Sequence, residues 1–335
     1  MRKAAIVILN YNGEEMLKTF LPSVVSGSEF DIWVIDNAST DSSIQLLNSK
    51  FPNVQTILLK ENFGYAGGYN WGLEELKGKY KYYILLNSDV EAVPGWDLDL
   101  IEVLESDSDL AAVQPKILSY QDKSKFDYAG AGGGFLDSLY YPYCRGRIWN
   151  TVEEDHGQYD NPIDVDWASG ACFAIRADLF HQQEGFDAHF FAHMEEIDLC
   201  WRMRKAGWKI GYTGKSVVYH LGGATLDRSS PRKLYLNIRN SLSMIFKNAP
   251  KSRFALVYIP KFVLEYMAAF SYFLKGQRPL AKAIVRGYWD FWTSRKLIEK
   301  NPIVPKHGFE VEKTGPVRFV FFNHLILRKR NFSDL

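Results

Sequence analysis

Four clusters of small polar side chains stand at the ends of apolar runs in the first ninety residues. A short carboxylate or amide in such a position can bind the base and ribose of a nucleotide, or hold a hard cation through its oxygen atoms. One cluster alone is usually a turn, but four after four apolar runs predict a nucleotide-type ligand. The clusters are Asn10-Tyr11-Asn12, Asp36-Asn37-Ala38-Ser39, the segment Asn62–Trp71, which we expect to be a loop, and Asn87-Ser88-Asp89.

A fifth cluster places three acids in the predicted first turn of a helix, shortly after two phenylalanines. Acids favour helix N-termini because the helix dipole stabilises negative charge there, and this is the simpler explanation. The same dipole would keep a carboxylate ionised, as a general base near neutral pH requires. The acids are Glu195, Glu196 and Asp198, and both interpretations remain open for them.

His220 ends a further apolar run and precedes Gly222 and Gly223. It is either a core histidine or a metal ligand, since neutral imidazole coordinates metals well. Neither a G-x-G-x-x-G fingerprint nor a G-x-x-x-x-G-K-[ST] loop follows the first apolar run, which disfavours both common phosphate-cradling folds. A metal ion would then neutralise a diphosphate, with oxygen ligands from Asn87 and Asp89.

Short apolar runs alternate with helical patterns along the first 120 residues, which predicts an α/β domain with a parallel sheet. Ligands of such sheets bind beyond the carboxyl ends of the strands, where the four clusters fall. Residues 120–165 have no clear period and predict long loops or short irregular strands. The predicted strands are Ala4–Leu9, Ile32–Ile35, Val54–Leu59, Tyr82–Leu86 and Ser216–Tyr219, and the predicted helices are Glu14–Val25, Asp41–Asn48, Trp71–Leu76 and Glu195–Ala206, the last closed by Gly207.

The chain of 335 residues is long enough for two domains, and its 47% hydrophobic and 24% charged residues are typical of globular proteins. Forty basic residues against thirty-nine acidic ones leave a net charge of +1, which provides no overall field for holding nucleic acid. Three cysteines without a C-x-x-C pair indicate reduced thiols in a cytoplasmic protein. The N-terminal segment predicts a first strand and not a secretory signal.

Beyond residue 225 the pattern is helical, and lysines and arginines interleave with aromatic and aliphatic residues. The predicted helices are Lys233–Lys247, Phe254–Leu274 and Leu280–Leu297. Because Lys261 and Glu265 interrupt the most apolar of them, we expect no membrane-spanning helix. The region is either a helical cap on the first domain or a surface for peripheral attachment to an anionic inner leaflet.

Taken together, the motifs resemble those of inverting glycosyltransferases of family 2, in the bacterial branch of rhamnosyl- and galactofuranosyltransferases. The resemblance covers roughly residues 4–225 and implies a GT-A fold, with a mostly parallel central sheet and helices on both faces, over residues 1–228. Residues 229–335 would form a helical appendage at a membrane surface or acceptor site. The matching segments are VILNYNG (7–13), VIDNASTDSS (34–43), ENFGYAGGYNWG (61–72), LLNSDVE (85–91), ASGACFAIR (168–176), GFDAHFFAHMEEIDLCWRMRKAGW (185–208) and VVYHLGGAT (217–225).

The resemblance also implies roles for individual residues. Glu196 occupies the position of the catalytic base, with Glu195 and Asp198 as alternatives, although the family usually has aspartate there. Mg²⁺ or Mn²⁺ would be held by Asp89, Asn87 and His220, and because Asn87 replaces an acid, metal binding would be weak until the nucleotide arrives. The donor nucleotide would contact Asn10, Asn12, Asp36, Asn37, Asn62, Gly64, Asn70 and Ser88, and the donor or acceptor sugar would contact Trp167, Ser169 and Gly170.

The implied activity is hexosyl transfer with inversion, in a single displacement, as part of bacterial cell-surface polysaccharide synthesis. The donor would be a nucleoside diphosphate sugar, with dTDP-L-rhamnose as the leading candidate. The acceptor would be a hydroxyl group of a growing glycan or lipid-linked saccharide. The enzyme would work in the cytoplasm or on the cytoplasmic face of the inner membrane. The alternative is a non-catalytic sugar-nucleotide or glycan-binding module of the same fold. A nucleotidyltransferase would need a glycine-rich, basic signature after the first strand, which Asn10–Glu15 lacks.

Overall fold

The computed structural model describes residues 1–222, 230–298 and 319–335. Its strands are β1 Arg2–Asn10, β2 Asp31–Asp36, β3 Gln55–Leu58, β4 Tyr80–Asn87, β5 Val90–Ala92, β6 Leu110–Ser119, β7 Gly134–Leu136, β8 Pro142–Cys144, β9 Arg147–Ile148, β10 Thr151–Val152, β11 Ile163–Val165, β12 Cys172–Arg176 and β13 Lys209–His220. Its α-helices are α1 Glu14–Gly27, α2 Ser43–Lys50, α3 Gly64–Leu76, α4 Trp96–Ser106, α5 Ala177–Gln182, α6 Glu195–Lys205, α7 Pro231–Asn248, α8 Lys251–Leu274, α9 Arg278–Ser294 and α10 Val320–Leu325.

The central sheet has the strand order β11-β13-β6-β12-β4-β1-β2-β3, and β5 pairs with the end of β13. Strands β4, β1, β2 and β3 are parallel, which confirms the α/β pattern predicted for the first 120 residues. Strand β12 runs antiparallel between β4 and β6, so the other half of the sheet is mixed. The stretch 120–165 contains the short strands β7–β10, which form a small antiparallel sheet of their own.

Helices cover both faces of the sheet because the buried residues of each strand alternate in direction. In β1, Ala5 and Val7 belong to the same core cluster as Leu73 of α3. Ile6 and Ile8 belong to a second cluster, which contains Leu17 and Leu21 of α1 and Leu100 and Leu104 of α4. This double burial explains the continuous apolar runs of the parallel strands.

The expectation of a loop over Asn62–Trp71 is wrong, because helix α3 already begins at Gly64. Its glycines do not form turns but let the helix pack closely on the sheet. A Cβ atom on Gly72 would lie 2.1 Å from Cδ1 of Ile35, and one on Gly68 would lie 2.8 Å from Cδ1 of Leu9. Because glycine occupies buried positions of α3, the sequence lacks the apolar side chains at intervals of three or four residues by which a helix is recognised.

Helices α7, α8 and α9 match the three helices predicted for the C-terminal region, to within three residues at every end. The expected domain boundary between residues 228 and 229, and the motif residues 223–225, lie outside the described residues. By length and composition alone, α8 is long and apolar enough to cross a membrane, although its most apolar window carries up to two charges and is 22% buried in the protein. The expectation of no membrane-spanning helix stays a prediction, because length and composition alone do not show that a helix crosses a membrane.

Candidate functional site

The polar residues at the ends of β1 and β2 form one hydrogen-bonded group. Nδ2 of Asn10 donates to Oδ1 of Asp36 at 3.0 Å, and the backbone N–H of Ser39 donates to Oδ2 of Asp36 at 2.9 Å. Asn12 joins the two turns, because its Oδ1 accepts from the N–H of Thr40 at 2.7 Å. The carboxylate of Asp36 is thus held rigidly at the carboxyl edge of the sheet, as the sequence predicted.

Asn37 connects this group to the start of α3. Its Nδ2 donates to Oδ1 of Asn62 and to the carbonyl of Gly64, both at 3.0 Å. Oδ1 of Asn62 accepts from the N–H of Gly64 at 2.8 Å, and Oδ1 of Asn37 accepts from the N–H of Phe63 at 3.0 Å. The N-terminal turn of α3 is therefore attached to the end of β2.

Asn87, Asp89 and His220, which were predicted to share a metal site, come together in the structure. Nε2 of His220 lies 3.3 Å from Oδ1 of Asp89 and 3.5 Å from Nδ2 of Asn87, whose amide would present its oxygen there after a half-turn. Burial alone would lower the pKa of His220, but its hydrogen bonds to two carboxylates raise that pKa to about 10. Ser88 lies between Asn87 and Asp89 in the chain, and its Oγ would lie 3.9 Å from a Cβ atom on Gly13.

Asp127 completes this group and was missed by sequence analysis. Its Oδ1 lies 2.7 Å from Nδ1 of His220, and both side chains are buried. A carboxylate on one imidazole nitrogen fixes the ring and directs the other nitrogen, a common arrangement around metal-binding histidines. In the sequence Asp127 is a lone acid before the glycine-rich stretch 130–134, and no pattern distinguishes it.

Glu195 and Glu196 lie in the first turn of α6, as predicted. Oε2 of each is buried and accepts no hydrogen bond within the described part of the chain. Burial raises the pKa of Glu196 to about 7, although the backbone N–H of Gly170 helps to stabilise its charge. Burial, and then the charge of Glu196, raise the pKa of Glu195 well above its ordinary value. A pKa near 7 lets Glu196 accept a proton near neutral pH.

The base candidate lies beside the metal-site candidates because β12 and β4 are paired. The carbonyl of Ala171, next to Gly170, accepts from the N–H of Asn87 at 2.9 Å. A Cβ atom on Gly170 would lie 3.8 Å from Cδ of Glu196. The hydroxyl of Tyr65 in α3 donates to the carbonyl of Gly170 at 2.8 Å. This hydrogen bond joins α3, whose first turn is attached to the end of β2, to the segment that lies against Glu196.

Asp198 shares the first turn with the two glutamates but has different surroundings. It is fully buried and accepts hydrogen bonds from Arg202 Nε at 2.8 Å, Lys247 Nζ at 3.0 Å and Asn248 Nδ2 at 2.6 Å. Burial alone would raise its pKa, but Arg202 and Lys247 outweigh burial and lower it. Both oxygens are engaged, so Asp198 ties α6 to α7.

The segment that leads into α6 is conformationally strained. Phe191, His193 and Met194 all have positive φ angles, between 63° and 75°, which costs energy for residues with a side chain. Asn240 of α7, which is fully buried, holds this segment through Nδ2, at 2.8–2.9 Å from the carbonyls of residues 190, 192 and 193. Arg239 donates to the carbonyls of residues 189 and 190, both at 3.0 Å. Helix α7 thereby positions the two glutamates.

The remaining candidates are mainly supporting residues. Trp167 is buried, and its Nε1 donates to the carbonyl of Phe135 at 3.0 Å. Oγ of Ser169 donates to the carbonyl of Ala129 at 2.9 Å. The side chain of Asn70 pairs with both backbone groups of Phe186, at 2.7 and 2.9 Å. Of the predicted sugar-contacting residues, Gly170 is the one that lies against Glu196.

Comparison with known proteins gives matches to a protein family, to curated relatives and to solved structures. The model of the family described as Glycosyl transferase family 2 matches residues 5–182. An N-acetylglucosaminyl-diphospho-decaprenol L-rhamnosyltransferase of Mycobacterium tuberculosis is 27% identical over 232 residues, which are 64% of this chain and 75% of the relative. The rhamnosyltransferase WbbL of Escherichia coli is 25% identical over 213 residues, 62% of this chain and 79% of that protein.

One solved structure extends the similarity to the fold of nearly the whole chain. A mannosyltransferase of Pyrobaculum calidifontis, solved in complex with GDP-Man and Mn²⁺, superposes with a TM-score of 0.51 at 12% sequence identity. The match covers 87% of this chain and 88% of the mannosyltransferase.

Proposed function

Since the family model spans more than half of its residues, this chain belongs to glycosyltransferase family 2, and we propose that it performs a metal-dependent, inverting transfer of a sugar from a nucleoside diphosphate. The expected GT-A fold and the rhamnosyltransferase-like branch are confirmed by the structural and sequence relatives. The acceptor is a hydroxyl group of a growing cell-surface glycan or lipid-linked saccharide. The decaprenol-linked substrate in the name of the mycobacterial relative supports an acceptor of the latter kind.

The observation that carries this proposal is the state of Glu196. Its buried Oε2 has no hydrogen-bond partner among the described residues, and its pKa of about 7 suits a group that accepts a proton near neutral pH. Glu196 takes the proton of the acceptor hydroxyl as that oxygen attacks the anomeric carbon. The carbon–oxygen bond to the diphosphate breaks in the same step, so the configuration inverts.

The residues at the ends of β4 and β13 fit a divalent cation. Asp89 offers a carboxylate, Asn87 an amide oxygen and His220 an Nε2 atom whose direction is set by Asp127. Within the described ranges no group of three His, Cys, Asp or Glu side chains is arranged to hold a metal ion, so the site would depend on the amide oxygen of Asn87. Bound Mg²⁺ or Mn²⁺ would stabilise the negative charge of the leaving diphosphate. The Mn²⁺ in the Pyrobaculum mannosyltransferase structure supports this assignment.

The other residues hold the donor and the active-site frame. Asp36, fixed by Asn10 and Ser39, would accept hydrogen bonds from the nucleoside, and Asn37 and Asn62 position the N-terminus of α3 beside it. The names of both relatives favour rhamnose as the sugar, and dTDP-L-rhamnose is the first donor to test. Residues 1–228 form the catalytic domain, and 229–335 form an appendage whose first helix supports the base. We place the enzyme at the cytoplasmic face of the inner membrane.

A non-catalytic binding module of the same fold is the competing proposal. Binding alone needs no carboxylate with an unsatisfied buried oxygen, and such an oxygen costs about 1–3 kcal/mol of folding free energy. The buried Oε2 of Glu196 without a hydrogen-bond partner among the described residues therefore favours catalysis.

The direct test is a calorimetric panel with the purified full chain. It compares dTDP-rhamnose, UDP-galactofuranose, UDP-glucose, UDP-N-acetylglucosamine and GDP-mannose, each with and without Mn²⁺, and repeats the best donor with Asp89→Ala. We expect one donor to bind in a metal-dependent manner and the variant to lose both donor and metal binding. Unchanged nucleotide affinity of Asp89→Ala with metal present would reject the metal site, and no binding of any donor would favour the binding-module alternative.

A further inference from the structure

Helix α8 buries charged residues and exposes apolar ones, the reverse of an ordinary surface helix. Its four buried residues are Val257, Lys261, Glu265 and Ala269, so two of the four are charged. Large apolar side chains occupy the exposed side at intervals of three or four residues, which places them on one face. This apolar stripe consists of Leu256, Ile259, Val263, Met267, Phe270 and Leu274, which are 49–68% exposed.

The buried charges attach the middle of α8 to the catalytic domain. Nζ of Lys261 lies 2.8 Å from Oε1 of Glu265 and 3.5 Å from the ring centre of Tyr141. The hydroxyl of Tyr141, which precedes β8, donates to Oε1 of Glu265 at 2.9 Å. Pairing and hydrogen bonds offset the cost of burying both charges. The orientation of the helix is therefore fixed, and the apolar stripe faces away from the protein.

Helix α9 packs along α8 and adds exposed aromatic and basic side chains. Trp289 is 69% exposed and Trp292 is 38% exposed, and both project from the side of α9 that also carries Val285. The cations Arg278, Lys282 and Arg286 are exposed as well. Tryptophan prefers the boundary between water and hydrocarbon because its ring is apolar and its N–H is polar.

Positive charge is concentrated in this region. Residues 251–298 contain nine lysines and arginines but two acids, a surplus of seven in a chain whose net charge is +1. Of the two acids, Glu265 is buried and Asp290 accepts a hydrogen bond from Tyr235 at 2.7 Å. The outer surface of α8 and α9 is thus apolar and cationic, a combination that binds anionic membranes.

We propose that the apolar stripe of α8, together with Trp289 and the cations of α9, docks on the surface of a bilayer that contains anionic phospholipids. The helices lie along the surface and do not cross it. Tyr141 holds α8 at its middle, and a spanning orientation would bring the exposed Lys282 and Arg286 of the adjacent α9 into hydrocarbon at high cost. A second copy of the chain is a poor occupant, because two surfaces with the same surplus of charge repel each other.

This membrane contact goes beyond the proposed sugar transfer, since it requires neither donor nor acceptor. It would bring the active site close to a lipid-linked acceptor, because α7, which supports Glu196, leads directly into α8.

Flotation with vesicles tests the proposal on the full chain. Vesicles of phosphatidylcholine alone are compared with vesicles that contain 30% phosphatidylglycerol, and we expect strong binding to the latter. The variant Ile259→Glu/Met267→Glu should lower the partition coefficient at least tenfold. The matched control is Leu58→Glu/Leu98→Glu, which makes the same exchange at side chains that are 61% and 45% exposed on the catalytic domain, and it should bind as the wild type does. Lys282→Gln/Arg286→Gln should lower binding about fivefold for each cation removed.

Further measurements distinguish the possible outcomes. Brominated lipids should quench Trp289, with Trp289→Phe as control, and the α8 variant should retain transfer to a soluble acceptor, which shows that it is folded. Absence of vesicle binding by the wild type, an equal loss in the control variant, or self-association in sedimentation that the α8 variant abolishes would overturn the proposal. An inactive protein that binds vesicles would contradict the proposed function alone, and an active protein that does not bind them would contradict the membrane proposal alone.

Discussion

Oδ1 of Asp127 lies 2.7 Å from Nδ1 of His220, although 93 positions separate the two residues in the chain. The contact leaves Nε2 of His220 facing Asp89 and Asn87, the two other residues of the proposed metal site. Asp127 is thus a positioning residue, which acts on the metal through the histidine.

Removing Asp127 should weaken metal binding without any direct contact to the metal. We expect Asp127→Ala to lower Mn²⁺ affinity about 10–100-fold, measured by calorimetry in the presence of dTDP, because the imidazole loses its orientation. Asp127→Asn should lose less, since its amide oxygen can still accept the hydrogen bond. The half-exposed acid Asp122 supplies the control Asp122→Ala, and equal Mn²⁺ affinity in all four proteins would remove Asp127 from the site.

The activity should rise with pH through neutrality. Burial raises the pKa of Glu196 to about 7, and the ionised form is the one that accepts a proton, so kcat/KM should increase about tenfold per pH unit below 7 and level off above it. Burial, and then the charge of Glu196, raise the pKa of Glu195 well above its ordinary value. We expect the pH profile of kcat/KM to keep the midpoint of its acid limb in Glu195→Gln. A profile that is flat from pH 5.5 to 8 would contradict the assignment of Glu196 as the base.

The contact between α3 and the segment before α6 should be sensitive to one methyl group. Gly64 has φ of +72°, and a Cβ atom there would lie 2.4 Å from the carbonyl oxygen of Phe191. Gly78 has a similar φ of +75° and no described atom within 4 Å, so Gly78→Ala measures the backbone penalty alone, about 1–2 kcal/mol. We expect Gly64→Ala to lower the free energy of unfolding by at least about 1 kcal/mol more. Equal losses of unfolding free energy in Gly64→Ala and Gly78→Ala, measured by urea denaturation, would show that the neighbouring residues move to accommodate the methyl group.

Asp198 should matter for folding more than for chemistry. Asp198→Asn leaves Lys247 and Arg202 without their shared carboxylate, and breaking a buried ion pair costs about 3–5 kcal/mol. Because the pKa of Asp198 is lowered, this stabilisation is present above the ordinary aspartate pKa of about 4 and is lost as the pH falls further. The difference between the unfolding free energies of the wild type and Asp198→Asn, measured by urea denaturation, should therefore shrink as the pH falls. A normally stable Asp198→Asn with kcat reduced a hundredfold would instead make Asp198 the base.

The sequence predicted those parts of the site that depend on local pattern. Parallel strands meet at one edge, so polar residues after β1, β2 and β4 had to lie together, and the acids of α6 occupied a first turn. It could not separate Glu196 from Asp198, because the difference arises from Arg202 together with Lys247, which is 49 positions away. Asn240 was equally out of reach, since it acts on backbone carbonyls, and the glycines of α3 concealed a helix.

The most direct test of the account compares Glu196→Gln with its neighbour Glu195→Gln. Each variant is assayed for the dissociation constant of the donor with Mn²⁺ and for turnover with donor and acceptor. We predict that Glu196→Gln binds the donor as the wild type does but loses about 10²–10⁴-fold in kcat, while Glu195→Gln, which leaves the proposed base intact, keeps most of its activity. Wild-type turnover by Glu196→Gln would contradict the account.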